Sequence, residues 1–121
     1  METEKINLLK TYLSLYINHT DVLPEMQKPN SDMVVLDVRN APAAVKKDQI
    51  KGAVAMPAKD LAQHLNELDK SKTYVVYDWN AGTVLGKAAL LTLLSNGYKA
   101  FELSCALDGW KGMSLPIETI A

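Results

Sequence analysis

Between Val75 and Ala89 an apolar run, Val75-Val76-Tyr77, stops at Asp78, a short polar loop follows, and a helical pattern of small and apolar residues begins at once. Few arrangements accommodate that order. A strand, a tight loop and a helix in succession aim several backbone N–H groups and the positive end of a helix at one small cup, which suits an anion or a reactive side chain. The loop reads Asp78-Trp79-Asn80-Ala81-Gly82-Thr83, and it opens on a carboxylate. The functional question is what a negative side chain does at the mouth of a cup built for anions.

The same strand-then-helix order recurs along the chain. Met33 to Val38 is a continuous apolar run ending in charge, the pattern of a central strand buried on both faces. Asn40 and Pro42 supply a cap and an early proline for a short helix over about 42–47. Ile50 to Pro57 holds a glycine turn and a short extended piece. Leucines at 61, 65 and 68 predict one helix from Asp60 to Leu68 with a single apolar face. Thr73 to Tyr77 reads as a strand, and about 84–96 as a helix apolar on nearly every side, hence largely buried. A short strand over Ala100 to Leu103 and a last short helix over Leu107 to Lys111 follow.

Ahead of these, Ile6, Leu8, Leu9, Leu13, Tyr16 and Ile17 predict an amphipathic helix over about 4–17 with a buried stripe. The segment 22–32 carries Pro24, Pro29, Asn30 and Ser31 and reads as loop with at most one turn of helix. With no repeat or linker, one globular unit is expected, divided into an N-terminal helix and connecting segment (1–32) packed on a main body (33–121). Strands alternating with helices give a mostly parallel sheet covered on both faces. Right-handed crossovers then bring the loops after Val38, Tyr77 and Leu103 to one edge.

Charge and composition narrow the function. A formal net charge of −1 over 121 residues leaves no electrostatic footprint for nucleic acid or an anionic membrane. No apolar run approaches the roughly 20 residues that span a bilayer. The acidic start, Met1-Glu2-Thr3-Glu4-Lys5, is unlike a signal peptide, so a cytoplasmic setting is expected. The single cysteine, Cys105, allows neither an internal disulfide nor a structural zinc site. His19 and His64 lie in no metal-spaced motif and read as helix surface residues, so neither a metal nor another cofactor is expected.

Four landmarks in order then resemble the rhodanese-like domain: Leu36-Asp37-Val38-Arg39, Ile50 through Pro57, Tyr74 to Tyr77 with its loop, and Leu103 through Trp110. They cover about residues 33 to 118. The resemblance implies a three-layer α/β fold, a five-stranded mostly parallel sheet with helices on both faces. In active members the loop presents a cysteine that takes a sulfane sulfur from a donor such as thiosulfate and becomes a persulfide. That chemistry needs a thiolate, stabilised by the N–H cup and a nearby cation. Here Asp78 stands where the cysteine belongs, as in the non-catalytic half of tandem rhodaneses, and Thr83 stands about where the loop cation belongs. The loop also reads one residue longer than the commonest single-domain form. Gln49 replaces a histidine of the family pattern, and Cys105-Ala106 replaces its glycine pair. An oxygen nucleophile cannot carry sulfane sulfur as a persulfide, so transfer through position 78 is excluded.

Asp78 has two readings, a general base or cation-recruiting charge, and a carboxylate that accepts two or three loop N–H bonds and fills the anion site from within. The second is favoured, because no histidine or second acid stands in a nearby motif. Cys105 follows the last strand and precedes a short helix, so it is either a relocated sulfur carrier or a small half-buried thiol. Arg39, the only arginine, reads as an ion-pair partner, Asp37 as an acceptor of loop N–H bonds, Lys87 as a snorkelling lysine and Trp110 as core. Trp79 and Asn80 either line the mouth or close the loop over the sheet edge. The expected function is a rhodanese-like protein silent as a sulfurtransferase, acting as a binding or regulatory module. The alternative is a sulfurtransferase using Cys105 or a partner's cysteine. The partner, a protein or a small molecule, is not identified by the residues, and a homodimer through the N-terminal helix stays open.

Overall fold

The computed structural model describes residues 2–120. Strands form where β-branched and apolar residues run without a helical period. Met33–Asp37 (β2) and Thr73–Tyr77 (β5) pair in parallel, with Leu36 opposite Val76 and Asp37 opposite Tyr77. Lys99–Leu103 (β6) pairs in parallel with β5 on its other side. Two-residue strands close the sheet, Tyr16–Ile17 (β1) beside β6 and Val54–Ala55 (β4) beside β2, giving five parallel strands in the order β1-β6-β5-β2-β4. Asp48–Ile50 (β3) and Ile117–Thr119 (β7) make a separate antiparallel pair.

Alternate residues of the central strands feed two cores, as a sheet covered on both faces requires. On one face Leu36, Tyr74 and Val76 pack with Leu61, Ala89, Leu90 and Leu93. Those last residues come from helices Ala58–Leu61 (α4) and Leu85–Ser95 (α5). On the other face Val35, Val75 and Tyr77 pack with Val22, Leu107 and Trp110. These belong to helices His19–Met26 (α2) and Ala106–Gly112 (α6). The fold is thus α/β with a five-stranded parallel sheet between helices, and Trp110 is core. Ala43–Lys46 (α3) lies between β2 and β3, and Thr3–Ser14 (α1) leads the chain. No helix among the described residues is long and apolar enough to cross a membrane.

Five local expectations are corrected. The first helix stops at Ser14 rather than Ile17, because Tyr16 and Ile17 are drawn into the sheet opposite Glu102 and Leu103. It carries no buried residue, so its apolar stripe is not packed on the domain as expected. The segment read as loop contains the eight-residue α2, which buries Val22 and tolerates Pro24 near its end. The 60–68 helix is broken, since the Tyr98 hydroxyl donates to the Leu65 carbonyl (2.8 Å) where a 3₁₀ turn, Leu65–Glu67, replaces regular helix. Finally, α5 is not buried all round: Ala89, Leu90 and Leu93 face the core while Leu91 and Leu94 face out.

Candidate functional site

Parallel strands end on one edge, so the loops after β2, β5 and β6 meet there. Asp78, one residue past β5, is fully buried. Its carboxylate turns inward: Oδ1 accepts the N–H of Trp79 (2.7 Å) and Oδ2 the N–H of Gly86 in the first turn of α5 (3.2 Å). Two N–H groups of the cup are therefore occupied by the chain's own anion, next to the positive end of an eleven-residue helix. The loop is braced from within. Asn80 Oδ1 accepts from the Gly82 N–H, the Asn80 carbonyl accepts from the Thr83 hydroxyl, and Lys87 Nζ donates to the Ala81 carbonyl at 3.2 Å.

The loop is also sewn to its neighbours. The Asp78 and Trp79 carbonyls accept the N–H groups of Leu107 and Asp108, each at 3.0 Å. Both donors belong to the first turn of α6, so two of the N–H groups at the helix end beside Cys105 are already committed. Cys105 is half-buried, its thiol donates to the Ala106 carbonyl, and burial first, then the neighbouring Asp108 charge, pushes its pKa up. Ala106 itself holds a φ of 55°, a left-handed conformation that a glycine adopts more easily.

From β2 comes Arg39, fully buried. Its Nε and Nη2 bond the two oxygens of Asp37 at 2.9 and 2.7 Å, and Nη2 also reaches the Asp48 carbonyl. Burial pulls the guanidinium pKa down, but the bonds to Asp37 outweigh this and it is raised overall. Its remaining nitrogen, Nη1, makes no hydrogen bond, and the Trp79 ring lies 4.4 Å from the guanidinium carbon. Trp79 thus caps Arg39, joining the β2 and β5 loops. Asp37 also accepts the Arg39 N–H (3.1 Å), as expected of a loop acceptor, and Lys46 Nζ stands 3.8 Å from it. Gln49 bridges its turn, donating to the Ala53 carbonyl and to Glu118.

One acid escaped the sequence reading. Glu102 in β6 is buried, and its carboxylate comes so close to α5 that a Cβ on Gly86 would lie 2.5 Å from its Oε2 and 3.6 Å from the Asp78 Cβ. A second acid therefore does stand beside Asp78, brought there by sheet pairing and by the absence of a side chain at Gly86. Burial, and the Asp78 charge behind it, raise the Glu102 pKa, while Lys87 opposes them. Lys87 Nζ lies 3.4 Å from Oε1, an ion-pair separation, yet Oε1 makes no hydrogen bond. The one sequence signal was a charge set between Phe101 and Leu103 in a strand whose Ala100 and Leu103 are buried. Lys87 is consequently more than a snorkelling side chain, since it clasps the loop to β6. His19 opens α2 just past β1 and His64 stands beside the 3₁₀ turn, and neither is hydrogen-bonded to the 78–83 loop. No cluster of three or more His, Cys, Asp or Glu among the described residues is placed to hold a metal ion.

Chemically, the edge holds two buried carboxylates around one helix N-terminus, with a single lysine reaching them from outside. It can hold a proton on Glu102, and the Asp78 oxygens occupy N–H groups that an anion would use.

Comparisons with known proteins add the following. The sequence profile of the family described as Rhodanese-like domain matches residues 19–113. The full-length protein of solved structure from Lactobacillus plantarum is 68% identical, with a TM-score of 0.95 over 99% of this chain and 100% of that one. The BH2092 protein from Bacillus halodurans shares the fold at 22% identity, with a TM-score of 0.84 over 98% of this chain and 87% of its own. The Rhodanese-like domain from an Anabaena protein is 27% identical, with a TM-score of 0.73, covering 88% and 80% of the two chains. Among curated proteins none matches.

Proposed function

The chain belongs to the rhodanese-like domain family, and on that premise we propose that it is a member silent in sulfur transfer, serving as a binding or regulatory module. Asp78 on this reading stands where active members carry the nucleophilic cysteine. The observation that carries the proposal is the inward carboxylate, whose oxygens take the Trp79 and Gly86 N–H groups that a bound anion would otherwise use. Sulfur transfer requires a thiolate to attack a sulfane sulfur, break its bond to the donor and keep the sulfur as a persulfide, and a carboxylate oxygen forms no such bond. Glu102 adds a second acid beside the cup, and in its ionised form it repels an anionic donor such as thiosulfate where an active site would offer attraction. Binding then falls to the outer face of the loop, Trp79 and Asn80, with the Arg39 clasp keeping that face rigid.

The alternative carrier, Cys105, is disfavoured by its raised pKa and by the engagement of the α6 donors with the Asp78 loop. A thiosulfate:cyanide assay, read together with intact mass after exposure to thiosulfate, tests both. Wild type and Cys105→Ser are expected to show no transfer and no added sulfur, and Asp78→Cys to acquire a persulfide. Activity of the wild type that disappears in Cys105→Ser overturns the proposal.

A further inference from the structure

Helix α1 is amphipathic in the wrong place for a monomer. At 100° per residue, Ile6, Leu8, Leu9, Tyr12 and Leu13 fall within one continuous arc of about half the circumference, and Asn7, Lys10 and Thr11 occupy the other. Such an arc normally faces a core, yet no residue of α1 is buried. Leu9 and Leu13 are 58% and 69% exposed. A helix of 12 residues without a capping side chain is marginal in water when it stands on its own, so its packing has to come from elsewhere.

The neighbouring surface has the complementary shape. Between α1 and α5 runs a groove of about 330 Å³, lined by Tyr12, Leu15, Tyr16, Leu90, Leu91 and Leu94, with Lys87 and Glu102 at its floor. Leu91, on the outer side of α5, is 67% exposed. Each chain therefore carries a leucine ridge and, beside it, an apolar groove. A ridge and a groove on the same face of one chain are self-complementary about a twofold axis, because each copy offers what the other needs.

We infer that this face joins two copies of the chain into a symmetric dimer, the α1 ridge of each seated in the α1–α5 groove of the other. The area is adequate. Ile6, Leu8, Leu9, Tyr12, Leu13, Leu91 and Leu94, between 38% and 69% exposed, offer on the order of 500 Å² of apolar side-chain surface, most of the core of a standard interface of about 800 Å² per partner. Charge does not oppose it, since Glu2 and Glu4 are balanced by Lys5 and Lys10 along the helix. Docking also covers Lys87, the half-exposed cation that faces the buried Glu102 within the groove. The inference is independent of the sulfur chemistry.

Sedimentation equilibrium of the full chain tests it. The wild type is expected at twice the chain mass at about 100 µM, with a melting temperature that rises with concentration. The double variant Leu9→Lys, Leu13→Lys is expected to weaken association about a hundredfold or more. Because no residue of α1 belongs to the buried core of its own chain, the variant's near-ultraviolet dichroism should stay native. Leu91→Lys, on a helix anchored by Ala89, Leu90 and Leu93, should weaken association as well and guards against a misfolded α1 variant. A monomeric wild type at about 100 µM overturns the inference, and uptake of an apolar dye by that monomer would assign the groove to another occupant. Loss of the dimer in the α1 variant but not in Leu91→Lys overturns the ridge-in-groove arrangement.

Discussion

Two carboxylates end neighbouring strands of one sheet, Asp37 on β2 and Asp78 just past its register partner Tyr77, and both are fully buried. They are stabilised in opposite ways. Asp37 meets a full opposite charge, bonded by Arg39 at two points, with Lys46 close by. Asp78 meets backbone dipoles, and a second acid, Glu102, comes to its side rather than a cation. The first arrangement is an ion pair that pins two loops and exposes nothing. The second concentrates like charge at the place where strand, loop and helix converge. Electrostatic balance within a single sheet edge thus separates scaffold from site more sharply than burial does.

The contrast is most severely tested at Arg39. Arg39→Met leaves Asp37 buried without its partner, and urea unfolding should show a loss of about 3–5 kcal/mol. A loss under about 1 kcal/mol would mean that the Asp37 pair is not the pin described. Asp78→Ala removes acceptors from the Trp79 and Gly86 N–H groups but relieves the like charge on Glu102, so a smaller loss of about 1–3 kcal/mol is expected in the same experiment. Equal losses for the two variants would erase the distinction between them.

The smallest effect depends on pH. Lys87→Met removes the cation that opposes the rise in the Glu102 pKa, and about 1–2 kcal/mol should be lost near pH 7. Glu102 binds its proton more tightly folded than unfolded, so its ionised form weighs against the fold, and that penalty grows as pH rises through the folded pKa. The difference between Lys87→Met and wild type should therefore shrink toward about pH 4, where Glu102 is protonated. An identical difference at both pH values would show that Lys87 acts elsewhere than on Glu102.

Much of this edge was legible in the residue order. β2 and β5 carry unbroken apolar runs, so their placement, and with it the meeting of their loops, followed from sheet rules. The inward turn of Asp78 was legible as well, since a carboxylate beside free N–H groups has an obvious destination. Glu102 was not, because its approach depends on pairing between distant segments and on the missing side chain of Gly86. Tyr16 and Ile17 continue the helical spacing of α1 yet join the sheet, because hydrogen bonds to β6 outweigh a continued helix. Pro24 hid α2, where the burial of Val22 prevails over a proline's helix penalty. In each case a contact remote in sequence decided against a local pattern.

The sheet's two outermost strands, β1 and β4, are two residues long. An edge so short offers a newcomer almost no ladder of free amide and carbonyl groups on which to register. Crowded copies of this chain consequently lack the template for strand-by-strand growth into fibres, and their encounters are steered to side-chain surfaces. The exposed leucines of this chain, on α1 and α5, lie on helix faces and not along a strand edge.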